Sequence, residues 1–400
     1  MPEAPRHDGP GLYLHVPFCS AICPYCDFSV LTGGETAHRR FVDTLLAEAE
    51  LWREDAHRLA PGRFDTLYLG GGTPSALAPA ELARLLDGVA ARLPLRSDVW
   101  IFLEANPEDV DRRSLDAWRD LGVRTLSLGV QSFDPASLAF LGRRHDPATA
   151  RRSVGEALAT GFHTVSVDLI FGLPRQGSAS WGRDLDTLVE LSPQHLSCYQ
   201  LTIHEGTPFG FRARRGELAE LAEDAQGELY AQAHEVLAAA GWSAYEVSSF
   251  ARSPEHHSRH NRKYWRHVPY LGLGPSAHSF ELGAPGRARR WWNERKLGAW
   301  TRRVEARDKP LAGEEGLAAE QLALEAVFLG LRTAAGLDLE AVRRRWGVDL
   351  AALNRERFAA WVEAGFVDRA GGVLRPTPRG LAVADGLAAS VELGGSDVSR

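Results

Sequence analysis

Between residues 12 and 202, short apolar runs alternate with stretches whose apolar positions recur every three or four residues. The runs at 12–16, 66–69, 99–104, 124–130, 164–170 and 195–202 predict strands. The stretches at 35–57, 79–93, 112–121, 135–141, 147–160 and 181–191 predict helices. Strands alternating with helices build right-handed βαβ units and a parallel sheet. Six such units predict an α/β fold, either a partial barrel or an open sheet. In both, ligands gather at the carboxyl ends of the strands. The uncommon residues fall there: Cys19, Cys23 and Cys26, the run Gly70-Gly71-Gly72-Thr73-Pro74, then Glu104, Gln131 and Asp168.

Past a helical stretch at 217–240 the texture changes. Short strand patterns at 244–250 and 276–280 flank a string dense in histidine and aromatics, from His256 to Trp265. Residues 302–316 are charged and loop-like. Residues 317–393 carry three helical patterns and then a glycine-flanked hairpin pattern, a winged-helix outline. The expected organisation is a flexible tail over 1–10, a core over 11–215 and an extension over 216–300. A linker over 301–316, a C-terminal winged-helix-like domain over 317–393 and a disordered tail over 394–400 complete it.

Composition narrows the function classes. A hydrophobic share of 44% with 24% charged residues is that of a soluble globular chain, and 400 residues favour two domains. A net charge of -6 gives no electrostatic case for nucleic acid, and the run Arg343-Arg344-Arg345 is too local to make one. No apolar run reaches about 18 residues, and residues 1–10 lack the apolar segment of a signal peptide, so a transmembrane or exported chain is not expected. Four cysteines, three of them clustered, suit a reducing compartment, and the expectation is cytoplasmic.

Cys19, Cys23 and Cys26 stand at C-x3-C-x2-C spacing just after the first predicted strand. Three thiolates on one loop can hold three irons of a four-iron cluster and leave the fourth open to a ligand. A structural zinc site wants four ligands, and no second cysteine pair exists. Pro24, Phe18, Tyr25 and Phe28 would shield the sulfurs, which tunes cluster potential. Cys198, alone in a strand, reads as a buried small hydrophobe.

The C-x3-C-x2-C loop with Tyr25 before its third cysteine resembles the radical S-adenosylmethionine superfamily. The run Leu12-Tyr-Leu-His-Val-Pro-Phe-Cys19 is similar to the anaerobic coproporphyrinogen oxidase family and, within it, to the HemW-type heme chaperones. The resemblance implies a partial (β/α)6 radical SAM barrel with a C-terminal winged-helix-like domain. It implies a [4Fe-4S] cluster on Cys19, Cys23 and Cys26, with S-adenosylmethionine on the open iron. It places Tyr13, Tyr25, Gly71, Gly72, Thr73, Glu104, Gln131, Arg144 and Asp168 around that cofactor, with Arg143 able to stand in for its neighbour. Read alone, Gly70–Gly72 is a tight turn and each polar residue a structural cap as readily as a contact.

Two functions share this core: radical decarboxylation of coproporphyrinogen, or carriage of heme to acceptor proteins, membrane respiratory enzymes among them. Phe28 stands where the oxidase branch has a fourth cysteine, and its cluster lies further from the N-terminus. His260-Asn-Arg-Lys-Tyr-Trp265 matches the H-N-x-x-Y-W string of the chaperone branch. Imidazole and phenolate both ligate heme iron, which makes His260 and then Tyr264 the expected heme ligands, with Arg262 and Lys263 for propionates. Without the resemblance, that string would read as a buried histidine among core aromatics. The chaperone is the expected function and the oxidase the alternative; a homodimer is compatible with both.

Overall fold

A computed structural model describes residues 9–394. Six parallel strands lie side by side in chain order: β1 (Gly11–Val16), β2 (Phe64–Gly71), β3 (Leu95–Ala105), β4 (Val123–Gln131), β5 (Thr164–Phe171) and β6 (His195–Gln200). Along each, side chains alternate between faces. Leu12, Leu14, Leu67, Leu69, Leu103, Leu126, Val165, Val167 and Leu196 are buried in the main apolar core, with residues of the intervening helices. The opposite face carries Tyr68, Phe102, Glu104, Ser127, Ser166, Asp168 and Ser197. The register sets Glu104 beside Ser127 and Asp168 beside Ser197. A parallel sheet covered by helices on both faces is apolar on both. Here one face is polar, as the lining of a cavity must be.

The sheet grows at both edges to twelve strands. Beyond β6 lie the short antiparallel β8 (Ser249–Ala251) and β7 (Ser243–Ala244). Beside β1, β9 (Tyr270–Leu273) runs parallel; β10 (His278–Leu282), β11 (Arg287–Asn293) and β12 (Leu311–Ala318) follow antiparallel. This corrects the linker expected over 301–316. The segment is the end of a helix (Leu297–Glu305) and most of edge strand β12. Its charge density is cross-strand pairing: Glu314 meets Arg289, and Glu315 meets Arg290. The tail expectation also changes at its inner end. Gly9 N donates to Asp65 Oδ2 at 3.0 Å, and Lys263 Nζ donates to the Gly9 carbonyl. Residues 1–8 and 395–400 lie outside the described part.

The C-terminal part gathers a second apolar core, including Leu322, Val327, Val342, Phe358 and Leu374. Helices Ala319–Leu331, Leu339–Trp346 and Arg355–Glu363 pack with a small sheet in the order β13 (Leu337–Asp338), β15 (Val373–Pro376), β14 (Val367–Ala370). Asp338 and Thr377 cap the helices that follow them through side-chain oxygens. Among the described residues, no helix is long and apolar enough to cross a membrane.

Candidate cofactor cleft

The cysteine loop is tied down at its base. Gly72 N bonds to the Val16 carbonyl (2.8 Å) and Thr73 N to that of Phe18 (2.7 Å). Cys19 N bonds to Leu31 O (2.9 Å), and Leu31 N to Pro17 O (2.8 Å). Residues 17–31 thus form a closed loop over the carboxyl ends of β1 and β2. Cys19, Cys23 and Cys26 line one face of a cleft of about 410 Å³, within the usual range for small-molecule sites. Tyr25, Gly71, Gly72, Thr73, Glu104, Gln131 and Asp168 line the same cleft. Gln131 ends β4 with a φ of 68°, a strained value for a residue with a side chain, and such strain collects at functional sites.

The glycines answer first to the chain's own packing. Gly71 has φ 105°, and a Cβ there would stand 2.4 Å from the His15 ring. A Cβ on Gly72 would stand 2.7 Å from the Phe18 carbonyl oxygen. The strand end can therefore press against the cysteine loop only without side chains.

A hydrogen-bonded chain connects two of the sulfurs. Thr73 Oγ1 donates to Cys19 Sγ at 3.3 Å, and Asn106 Nδ2 donates to Thr73 Oγ1 at 3.1 Å. Arg143 Nη2 donates to Asn106 Oδ1 (2.6 Å) and to the Gly129 carbonyl (2.8 Å). Arg143 Nη1 reaches Cys23 Sγ at 3.3 Å. Arg143 thus sets a fixed guanidinium beside Cys23 and, through Asn106, steadies the Thr73 hydroxyl on Cys19. Asn106 was not among the sequence-derived candidates. Its place just past the end of β3, two residues beyond Glu104, is the signal that would have found it.

Deeper in, Tyr68 Oη donates to Glu104 Oε1 at 2.6 Å, and Gly71 N donates to Glu104 Oε2 at 3.3 Å. Burial pushes the Glu104 carboxyl up to about 7 against those hydrogen bonds, and the Asp168 charge adds to the rise. Burial likewise raises Asp168 to about 6, although Ser127 Oγ lies 3.2 Å from both its oxygens. Burial raises the Cys19 thiol, opposed by Thr73, and lifts Cys26 to about 11. A metal ligand is the thiolate, so ligation by these cysteines would release protons.

Four expected site residues lie elsewhere. Arg144 is exposed and does not line the cleft; Arg143 occupies the place that was assigned to it. Tyr13 bonds through its hydroxyl to His15 Nδ1 (3.2 Å) and faces a neighbouring cleft. His260 is 1% exposed. Thr66 Oγ1 lies 2.8 Å from its Nδ1 and Tyr264 Oη 2.9 Å from its Nε2, so both nitrogens are occupied. Its ring packs against Tyr68 and, further off, Phe102 on the cavity face of the sheet. Lys263 is buried against Asp65 at 2.6 Å. In this conformation the string plugs the sheet's inner face and presents neither the His260 imidazole nor the Lys263 ammonium to a ligand. The physical reason is that Thr66 and Asp65 on β2 supply the partners these side chains need once buried.

The donor set fits an iron–sulfur cluster better than a single ion. Three cysteines line one wall, yet among the described residues no three His, Cys, Asp or Glu side chains converge tightly enough for one metal ion. A polynuclear cluster, being several ångströms wide, wants ligands set apart. The fold and this cleft define a member of the Radical SAM superfamily. The profile so described matches residues 13–188, and that of the HemN C-terminal domain matches 317–383. The solved coproporphyrinogen III oxidase (HemN) from Escherichia coli superposes with a TM-score of 0.81, over 96% of this chain and 91% of that one. At 22% identity that likeness speaks for the fold alone.

The chain belongs to the heme chaperone HemW family. It is 38% identical to the heme chaperone HemW of Mycobacterium tuberculosis (strain ATCC 25618 / H37Rv), over 94% of this chain and 93% of that protein. It is 39% identical to the heme chaperone HemW of Escherichia coli (strain K12), over 75% of this chain and 79% of that protein.

Proposed function

We propose that this chain binds heme and hands it to acceptor proteins, working in the cytoplasm, with a [4Fe-4S] cluster and S-adenosylmethionine held in the cleft. The observation that carries the reading is near full-length similarity to proteins named heme chaperones. Cys19, Cys23 and Cys26 would hold the cluster, and when bound it supplies an electron to the sulfonium of S-adenosylmethionine. Arg143 and Thr73 orient two of the sulfurs and offset their charge. Gly71 and Gly72 let a ligand approach backbone closely, while Glu104, Gln131 and Asp168 offer polar groups to its amino group and ribose. Tyr25 and Phe28 close the cleft at its apolar rim.

Phe28 also weighs against the decarboxylase reading, since no fourth thiol follows Cys26 at that spacing. The decisive experiment uses the anaerobically reconstituted chain in two arms. Ferric heme titration should give a saturable Soret change at about one heme per chain. Incubation with coproporphyrinogen, S-adenosylmethionine and a reductant should give no decarboxylation above the protein-free control. Robust decarboxylation, or no saturable heme binding, overturns the reading.

A further inference from the structure

Away from the cysteine loop, a cavity of about 740 Å³ opens where the core meets the C-terminal part. That size is usual for small-molecule sites, and such sites gather at seams of this kind. Its core side is the helix Glu223–Ala239 with Trp242 and Phe250. Its other side is Phe366, Pro376 and the helix Pro378–Ala382, whose Leu381 joins the main apolar core. The walls are mainly apolar, and Val383 is 42% exposed at the rim.

Three buried polar side chains stand in these walls, and they differ in their partners. Tyr230 donates its hydroxyl to the Val247 carbonyl at 2.9 Å. His234 is 8% exposed, and its ring packs on Tyr230 (4.5 Å) and Phe250 (4.9 Å). Among the described residues nothing is hydrogen-bonded to its Nε2, which is shut off from solvent. Trp242 is buried with the Arg252 guanidinium over its ring at 3.8 Å, and its Nε1–H is likewise without an acceptor. A buried polar group left bare is costly, and folded chains normally pair it.

We propose that this cavity binds a small, flat, uncharged aromatic molecule carrying a carbonyl oxygen. The inference stands apart from the heme-carrier reading and does not depend on it. Aromatic and proline walls suit a flat ring system. The bare indole N–H and the imidazole call for a hydrogen-bond acceptor at the inner end, and a carbonyl oxygen is one. Both nitrogens are closed to solvent, so binding turns the imidazole toward the cavity.

Charge argues against an acid. Burial holds the His234 imidazole down at about 4, so the ring is neutral at pH 7. A carboxylate pressed against it would be buried without a counter-ion. The two charged residues of the lining, Glu235 and Arg379, are exposed and opposite in sign. Arg379 leans over the Phe366 ring at 5.4 Å and donates to the Ala364 carbonyl (3.3 Å). A molecule wedged here touches the helices Glu223–Ala239 and Pro378–Ala382 together, and so ties the C-terminal part to the core.

The test uses prodan, a flat uncharged naphthyl ketone whose emission reports its surroundings. It is titrated into the full reconstituted chain with S-adenosylmethionine in excess. The wild type should show one saturable site with blue-shifted emission, and saturation should raise the unfolding midpoint. His234→Leu keeps an apolar wall but removes the imidazole. It should weaken the site about tenfold without lowering the unfolding midpoint of the probe-free chain. Ala382→Trp, at an exposed position of the lining, should fill the cavity and abolish the site at unchanged iron content. Decanoate should not displace the probe. No saturable site in the wild type, or wild-type affinity in Ala382→Trp, would overturn the cavity. Wild-type affinity in His234→Leu would overturn the hydrogen-bonded carbonyl, and displacement by decanoate at similar concentration would overturn the uncharged ligand.

Discussion

Glu104→Gln isolates the electrostatics of the cofactor cleft. Glu104 is buried between Tyr68 and the Gly71 amide, and its carboxyl rises from 4.5 to about 7. At about 1.4 kcal/mol per pKa unit, that rise corresponds to about 3 kcal/mol of preference for the neutral form. The sign follows from linkage. A raised folded-state pKa means the native chain holds the proton longer than the unfolded one, so its contribution is fully present below pH 4.5. It is lost as pH rises through about 7. Glutamine is neutral throughout and keeps an acceptor for the Tyr68 hydroxyl. The stability difference, variant minus wild type, should therefore climb by about 3 kcal/mol between pH 4.5 and 8.5. Part of the climb reflects Asp168, whose own proton is easier to lose once Glu104 is neutral. The assay is urea unfolding of the metal-free chain under reducing conditions, followed by tryptophan fluorescence at half-unit pH steps. Parallel stability curves for the two proteins would refute the reasoning, since they would mean that Glu104 is not ionising inside the cleft.

Two further outcomes follow from the same geometry. Arg143→Ala should lower iron and sulfide content after anaerobic reconstitution by at least half, and Arg143→Lys should not restore it. An ammonium cannot bridge Cys23 Sγ, Asn106 and the Gly129 carbonyl as a guanidinium fork does, so full occupancy in the lysine variant would count against the proposed role. His260→Ala should lower unfolding stability by about 2–3 kcal/mol, because it leaves the Thr66 hydroxyl and the Tyr264 phenol without their partner, and a normal unfolding midpoint would show that the plug is not structural.

The strand order and the cleft were legible because strand-end chemistry needs no knowledge of packing. Cysteines, a glycine run, Glu104, Gln131 and Asp168 each follow an apolar run, and parallel topology brings such ends together. What one dimension hides is the direction in which a side chain points. Arg143 and Arg144 are adjacent and chemically alike, yet only the first turns toward Asn106. Tyr13 shares the cavity face with Tyr68, its partner across β1 and β2, but lies toward the β9 edge and lines the neighbouring cleft. His260 carries the chemistry of a metal ligand, but Thr66, nearly two hundred positions earlier, decides that it is a core residue. Strand β12 was hidden for a related reason. Its glutamates look solvated until β11 supplies the arginines opposite them.

The pairing of β9 with β1 has a consequence in time. Gly11 lies beside Tyr270, and Leu14 beside Leu273. A ribosome that has delivered the cysteine loop must add some 250 residues more before β1 gains its second neighbour. Contacts of such separation form late, after a long loop has closed. The nascent chain can thus hold a cysteine loop on a half-covered strand well before Tyr270 and His278 arrive. Assembly has an order written into the topology: the cysteine loop can close over β1 and β2 before the β9–β12 edge of the sheet exists.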